Sequence, residues 1–350
     1  MKTLTRIINA IGSPDEQCQR HMALHLDGLV KPIGSLGRLE LLAVQLSGIS
    51  HTLEPAYPRK LIVVTAADHG VYDEDVSSAP QIVTHMQMIN MVEGKAGVNV
   101  LAKQAGAEVL LVDTGIKGDV IPGVVDFRVR QGSDNIAQGP AMRHDEAYHL
   151  IERCANLAMQ QVEKGVNLIG VGELGMANTT PAAAVVSVMC RASPALTVGT
   201  GANFPAPRLQ HKVDVVSRAI AINRPDAEDG IDVLAKVGGF DLCGMAGTII
   251  GAAAAGIPVV LDGFLSYASA IAAMKIAPSI RPYLIPSHRS AEKGTQTALT
   301  FLALSPVLDM DMRLGEGSGA ALMFPLIDAA CAIPAQMGTL ASGSIVLTKS

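Results

Sequence analysis

Short runs of apolar, often β-branched residues alternate along the chain with longer stretches whose apolar positions recur at helical spacing. The runs are Leu61–Ala66, Val109–Asp113, Asn167–Val171, Ala195–Gly199, Pro258–Asp262 and Ile280–Ile285. Most are continuous, the pattern of strands covered by helices on both faces. Helices are predicted over roughly 81–105, 145–164, 180–191, 207–222, 241–255, 264–275 and 290–304. Strand and helix in turn is the signature of βαβ units, so the expected fold class is α/β: an open, mostly parallel, Rossmann-like sheet flanked by helices.

The two ends fall outside this alternation. Ser13-Pro14-Asp15-Glu16 reads as a helix start, with Ser13 as cap, Pro14 at the first helical position and acids in the first turn. The loop Lys31-Pro32-Ile33-Gly34-Ser35-Leu36-Gly37-Arg38 then leads into a Leu-rich helix, and the chain from Ser318 onward is again largely helical. A small helical subdomain of residues 1–55 plus about 318–350 is therefore expected beside a catalytic α/β body of 56–317. Gly244 to Leu261 carries no charge over 18 residues, near the lower limit for crossing a bilayer. Pro258 and interior glycines interrupt it, and Asp241 and Asp262 bracket it, so a buried helix followed by a buried strand is the better account.

Composition narrows the function. The 350 residues are 49% hydrophobic, ample for a core, whereas aromatics make up 3% and Trp is absent. With 27 basic against 32 acidic residues there is neither a polycation nor a stacking platform, which argues against a nucleic-acid partner. Cys18, Cys154, Cys190, Cys243 and Cys331 are scattered without a C-x-x-C pair and read as reduced thiols, not a disulfide frame or zinc site. Residues 1–8 lack the apolar run of a signal peptide, and a cytoplasmic location is expected.

Candidate chemistry concentrates in two Gly-rich segments. In Asn167-Leu-Ile-Gly-Val-Gly-Glu-Leu-Gly-Met-Ala-Asn-Thr-Thr-Pro181 a strand runs into a turn and a helix start, with Thr179 or Thr180 as cap and Pro181 in the first turn. Such a turn aims backbone N–H groups and a positive helix end at one spot, which favours a phosphate. Gly170, Gly172 and Gly175 also match the G-x-G-x-x-G dinucleotide fingerprint. The acidic residue expected about 20 positions on is replaced by Thr197-Val-Gly-Thr-Gly-Ala-Asn203, so a mononucleotide phosphate site is preferred over a nicotinamide oxidoreductase. In the second segment, Arg313-Leu-Gly-Glu-Gly-Ser-Gly-Ala320, Glu316 lies between two glycines before an apolar helix capped by Ser318. It reads either as a desolvated proton acceptor or as an ordinary solvated loop glutamate. Asp68 and His69 end a strand, where open α/β sheets bind ligands, while Asp73, Asp75, His21 and His25 lack the partners of a metal site. Met86, Met88 and Met91 read as core filling or as an adaptable lining for a flat base. A non-catalytic nucleotide sensor would keep the phosphate turn and leave Glu316 idle.

Lys31-Pro-Ile-Gly-Ser-Leu-Gly-Arg-Leu-Glu40, Ala67-Asp-His-Gly70, Gly170-Val-Gly-Glu-Leu-Gly-Met-Ala-Asn-Thr-Thr180, Lys212-Val-Asp-Val-Val216, Lys236-Val-Gly-Gly-Phe-Asp241, Leu261-Asp-Gly-Phe-Leu265, Ile285-Pro-Ser-His288 and the Glu316 segment together resemble the nicotinate-nucleotide–dimethylbenzimidazole phosphoribosyltransferases, over essentially the whole chain. The resemblance implies transfer of 5-phosphoribose from nicotinate mononucleotide to 5,6-dimethylbenzimidazole with inversion at C1′, giving α-ribazole 5′-phosphate and nicotinate. It places the family's catalytic glutamate on Glu316 and a second glutamate on Glu173. Phosphate and ribose positions fall on Gly175, Asn178, Thr179, Gly201 and Lys212, and base-pocket positions on Pro80, Gln87 and Leu314. A serine expected just before Pro80 is Ala79 here. No metal or cofactor is expected, and a homodimer is implied by the resemblance alone.

Overall fold

The computed structural model describes residues 1–201 and 204–342. Ala202 and Asn203, which end the Thr197–Asn203 segment, and residues 343–350 of the expected C-terminal helical segment lie outside them. Among the described residues, six strands form one parallel sheet: β1 (Lys60–Ala67), β2 (Ala107–Gly115), β3 (Val125–Asp126), β4 (Leu168–Leu174), β5 (Val259–Leu261) and β6 (Leu284–Pro286), in the order β3-β2-β1-β4-β5-β6. In the centre, Ile62 of β1 stands beside Val109 of β2 and Gly170 of β4.

The helices are α1 (Leu4–Ile8), α2 (Glu16–Asp27), α3 (Arg38–Ser50), α4 (Val83–Val92), α5 (Gly97–Gln104), α6 (His144–Glu163) and α7 (Thr179–Met189) in the first half. Then follow α8 (Pro194–Thr197), α9 (Leu209–Asn223), α10 (Gly230–Val237), α11 (Phe240–Ala254), α12 (Phe264–Ile276), α13 (Thr295–Leu302) and α14 (Ser318–Gln336). Side chains of β1 alternate between two cores, as strand geometry requires. Leu61 and Val63 join Ile151, Ile249 and Phe264 of α6, α11 and α12 on one face. Ile62 and Val64 join Met22, Leu46 and Phe324 of α2, α3 and α14 on the other. This two-sided cover is why the strands read as unbroken apolar runs.

The uncharged 244–261 stretch is α11, buried over nearly its whole length, followed by β5. Among the described residues one helix, Ser318–Gln336, is long and apolar enough to cross a membrane, yet half of it is buried inside the protein and Asp328 sits within it. It is a core helix.

Several expectations are corrected. Ala195–Gly199 is no strand: Ser193 Oγ accepts from Ala195 N at 3.4 Å and Pro194 opens the short α8. Ile280–Ile285 begins as a 3₁₀ turn, Pro278–Tyr283, and becomes β6 only at Leu284. The expected 81–105 helix is two, parted by Gly94 at φ +76°. Asp15, not Ser13, caps α2, accepting from Gln17 N at 2.8 Å and Cys18 N at 2.9 Å. Asn178 occupies the cap position of α7 in place of either threonine, and Gly317 that of α14 in place of Ser318. The two-residue β3 and the eight-residue α10 have no counterpart among the expected elements.

Candidate active site

The strand order reverses between β1 and β4, and in open α/β sheets the crevice beyond the carboxyl ends at such a point receives the ligand. A pocket of about 290 Å³ lies there. Its wall is drawn from the end of β4 (Glu173, Gly175), the start of α7 (Asn178, Thr179), the turn after α8 (Gly201), α9 (Lys212), the end of β5 (Asp262), the loop after β6 (Glu292), α4 (Gln87) and the loop before α14 (Leu314, Glu316).

Glu316 is held by backbone rather than by bulk. It adopts φ +63° between Gly315 at +85° and Gly317 at +84°, a left-handed run that turns its side chain back over the sheet. The loop rests on the bare backbone of β4: a Cβ at Gly172 would lie 2.5 Å from Gly317 N and 2.6 Å from the Glu316 carbonyl carbon. The carboxylate is 5% exposed, and both oxygens are engaged. Gln87 Nε2 donates to Oε1 at 2.7 Å, and Val98 N, in the first turn of α5, donates to Oε2 at 3.3 Å. The solvated-loop alternative is thereby removed, and so is the picture of a purely apolar surround.

Glu173 sits 6% exposed beneath that loop, with Gly315 so close that a Cβ would collide with its Oε1. Burial pushes its carboxyl well above the usual range, and the nearby charges of Asp241 and Asp262 push the same way. The Asn178 amide opposes them, donating to Glu173 Oε2 and, at 3.3 Å, to Asp241 Oδ2. Asp241 is in turn met by His69 Nε2 at 3.2 Å and accepts from Leu242 N at 2.8 Å. Asp262 supplies the cap that α14 lacks: its oxygens accept from Gly317 N at 3.0 Å and Gly319 N at 2.6 Å. Burial nonetheless raises its carboxyl to about 7 against those N–H bonds.

On the opposite wall Lys212 is almost fully enclosed, and burial draws its ammonium down to about 8, with Glu292 pulling the other way. Its Nζ donates to Thr179 Oγ1 at 2.7 Å and to Gly199 O at 3.3 Å, tying α9 to the turn at the start of α7. Lysine and helix terminus thus converge as an anion site, facing the carboxylates across the pocket. No group of three or more His, Cys, Asp or Glu side chains that could hold a metal ion exists among the described residues.

A family model described as "Phosphoribosyltransferase" matches residues 11–345. The chain is 58% identical over 347 residues to the nicotinate-nucleotide–dimethylbenzimidazole phosphoribosyltransferase of Yersinia enterocolitica, covering 99% of each chain. The chain belongs to the nicotinate-nucleotide–dimethylbenzimidazole phosphoribosyltransferase family. The enzyme of that name from Photorhabdus laumondii is also 58% identical over 99% of each chain. The crystal structure of CobT from Thermus thermophilus superposes with a TM-score of 0.91 at 37% identity, covering 95% of this chain and 100% of that one.

Of the residues that family resemblance singles out, Glu316, Glu173, Gly175, Asn178, Thr179, Gly201, Lys212, Gln87 and Leu314 line the one pocket. Pro80 does not: it is exposed, and its neighbour Ala79 and Val83 take the wall instead. The oxidoreductase alternative fails on geometry. Gly170 and Gly172 lie inside β4 under α14, so only Gly175 of the supposed fingerprint belongs to the turn. Met86, Met88 and Met91 stay out of the pocket, which Met176 lines. His25 Nε2 donates to the Pro334 carbonyl, 2.8 Å away, as a packing contact between α2 and α14. Asp241, Asp262 and Glu292 went unassigned in the sequence, although Asp241 and Asp262 stand in family motifs and Asp262 follows a strand, which was the available signal.

Proposed function

We propose that the chain transfers the 5-phosphoribosyl group of nicotinate mononucleotide to 5,6-dimethylbenzimidazole, giving α-ribazole 5′-phosphate and nicotinate for the nucleotide loop of cobalamin. The observation that carries this reading is the pocket's division into an anion-binding wall at Thr179, Gly201 and Lys212 and a carboxylate wall at Glu173 and Glu316. The phosphate anchors the donor on the first wall and directs C1′ toward the second. The attacking benzimidazole nitrogen forms the new C1′–N bond as the C1′–pyridinium bond breaks. Its electron pair returns to the nicotinate ring, which leaves neutral at nitrogen. Attack opposite the departing ring inverts the β anomer to α.

Positive charge gathers on the benzimidazole as the bond forms, and its other N–H must lose a proton. Glu316 accepts that proton; base assistance of this kind is worth about 10²–10⁴-fold. Gln87 and the Val98 N–H hold the carboxylate in place for it. Glu173, whose carboxyl is pushed up by burial and by its acidic neighbours, orients a ribose hydroxyl. Gln87 and Leu314 flank the acceptor base, and Ala79, where the family carries serine, leaves that side of the base without a hydroxyl partner.

The enzyme works in the cytoplasm as a homodimer. Support for a second copy comes from the exposed Met86 and Ile89, on one face of α4, with exposed Ile82 at its cap. Two parts, 1–55 with about 318–350 and 56–317, belong to the same reading: α2, α3 and α14 meet in one cluster, which also takes in Ile62 and Val64 of β1. Mass-spectrometric product analysis after mixing protein, nicotinate mononucleotide and 5,6-dimethylbenzimidazole tests the reaction. Appearance of α-ribazole phosphate with equal nicotinate is expected. Persistence of both substrates with folded protein overturns it, and a monomer in sedimentation overturns the dimer.

A further inference from the structure

One buried carboxylate has no part in the transfer just described. Glu292, in the loop after β6, is 6% exposed, lines the pocket, and neither of its oxygens has a hydrogen-bond partner. It stands against the phosphate-side turn, where a Cβ at Gly199 would collide with its Oε2. Lys212 reaches the same turn but gives its bonds to Thr179 Oγ1 and Gly199 O rather than to Glu292. An ionised Glu292 is supported in the empty site by the Lys212 and Arg313 charges and the Gly201 N–H, and an incoming phosphate makes that buried charge costly. Burial pushes Glu292 above the usual carboxyl range. Lys212 on α9, the Gly201 N–H in the turn after α8 and Arg313 before α14 face it and pull it back. From its own loop, Ser290 Oγ accepts only the Glu292 backbone N–H, at 3.4 Å.

We propose that Glu292 couples phosphate binding to a proton: ionised in the empty site, it is protonated when nicotinate mononucleotide binds, and its carboxyl O–H donates to a phosphate oxygen. This rests on the donor-binding reading above. The proton comes from solvent, and only an O–H bond forms. Raising the pH therefore weakens binding, because a larger share of empty sites must first take up the proton.

Titration calorimetry with nicotinate mononucleotide near pH 7.5, in buffers of different ionisation enthalpy, reads the proton directly. At that pH a free phosphate monoester is already dianionic, its second pKa being about 6. Wild type is expected to take up about one proton per nucleotide bound. In Glu292→Gln the uptake falls well below one proton, leaving only what Lys212 and Asp262 contribute. Nicotinate riboside, which lacks the phosphate, takes up none on wild type, an arm that stands even if the variant does not fold. In parallel, KM for the nucleotide rises several-fold between about pH 6.5 and about pH 7.5 in wild type and stays flat in the variant, with KM for dimethylbenzimidazole unmoved. Binding with equal uptake in the variant, or with the riboside, overturns the coupling alone. No binding of the nucleotide in any buffer overturns the functional reading and the coupling with it.

Discussion

Replacing Glu316 by glutamine keeps the shape of the side chain and removes its capacity to take a proton. Two donors converge on the carboxylate, Gln87 Nε2 at 2.7 Å and Val98 N at 3.3 Å. The Val98 N–H is fixed in α5, so the new amide oxygen must face it and the new NH₂ must face Gln87. Gln87 can flip its own amide to accept, but its oxygen then leaves Asn90 Nδ2, which donates to it at 3.1 Å. One strained or lost neutral hydrogen bond is worth about 1 kcal/mol. In a chain of this size that amounts to a melting shift of roughly 1–3 °C. The kinetic effect is far larger. Loss of the base removes about 10²–10⁴-fold in kcat, or ~3–5 kcal/mol of barrier. Because Glu316 lies across the pocket from the phosphate wall, KM for nicotinate mononucleotide should move less than threefold, on the order of a rim contact. Chromatographic assay of α-ribazole phosphate beside a thermal melt measures both. A folded variant with kcat within about tenfold of wild type would refute Glu316 as the base.

Three further outcomes follow from geometry already described. Gly172→Ala drives a Cβ to 2.5 Å from Gly317 N, so the Glu316 loop must lift. Stability should fall by about 1–3 kcal/mol in denaturant melts, with kcat reduced ~10²-fold by the misplaced base. The Lys212 ammonium, lowered by burial to about 8, should add a tenfold-per-unit fall in kcat/KM for nicotinate mononucleotide above that pH. Lys212→Arg should lose this break in the pH profile, since a guanidinium stays charged. Burial alone would raise the Glu40 carboxyl, but the Lys31 ammonium at 2.9 Å and the Leu36 N–H outweigh it and hold it low. The stability this pair contributes is complete above the ordinary carboxyl pKa of 4.5 and is lost as pH falls below it. Glu40→Gln should therefore narrow the difference in melting temperature between about pH 7 and about pH 3.5.

The core strands were legible because both faces of β1 and β4 are covered, which leaves continuous apolar runs. Ala195–Gly199 misled for a local reason: its β-branched residues outweighed Ser193-Pro194, a cap and first-turn pair that opens a helix instead. Helix α10 carried its own signals, Asp229 accepting from Ile231 and Asp232 at one end and Gly238 following the other, in a segment too short for periodicity. At the site, Gly-rich turns advertised Glu173 and Glu316 because chain conformation and chemistry coincide there. Asp262 and Glu292 carry no such mark. Each is a lone acid after a strand, and its role depends on Gly317, Gly319 or Gly199, contacts that arise only when distant segments meet.

The bare backbone of β4 has a consequence for the order in which the molecule comes into being. Gly170 receives Ala320 and Phe324, and Gly172 receives Gly317, so the loop bearing Glu316 is seated only when the last long helix docks on a central strand. A nascent chain leaves the ribosome N-terminus first. The segments that form the sheet, the turn at Thr179 and Lys212 are therefore made before Glu316 has been translated. An unfinished chain has the residues of the anion wall but not Glu316, and the carboxylate wall of the pocket is complete only once α14 docks.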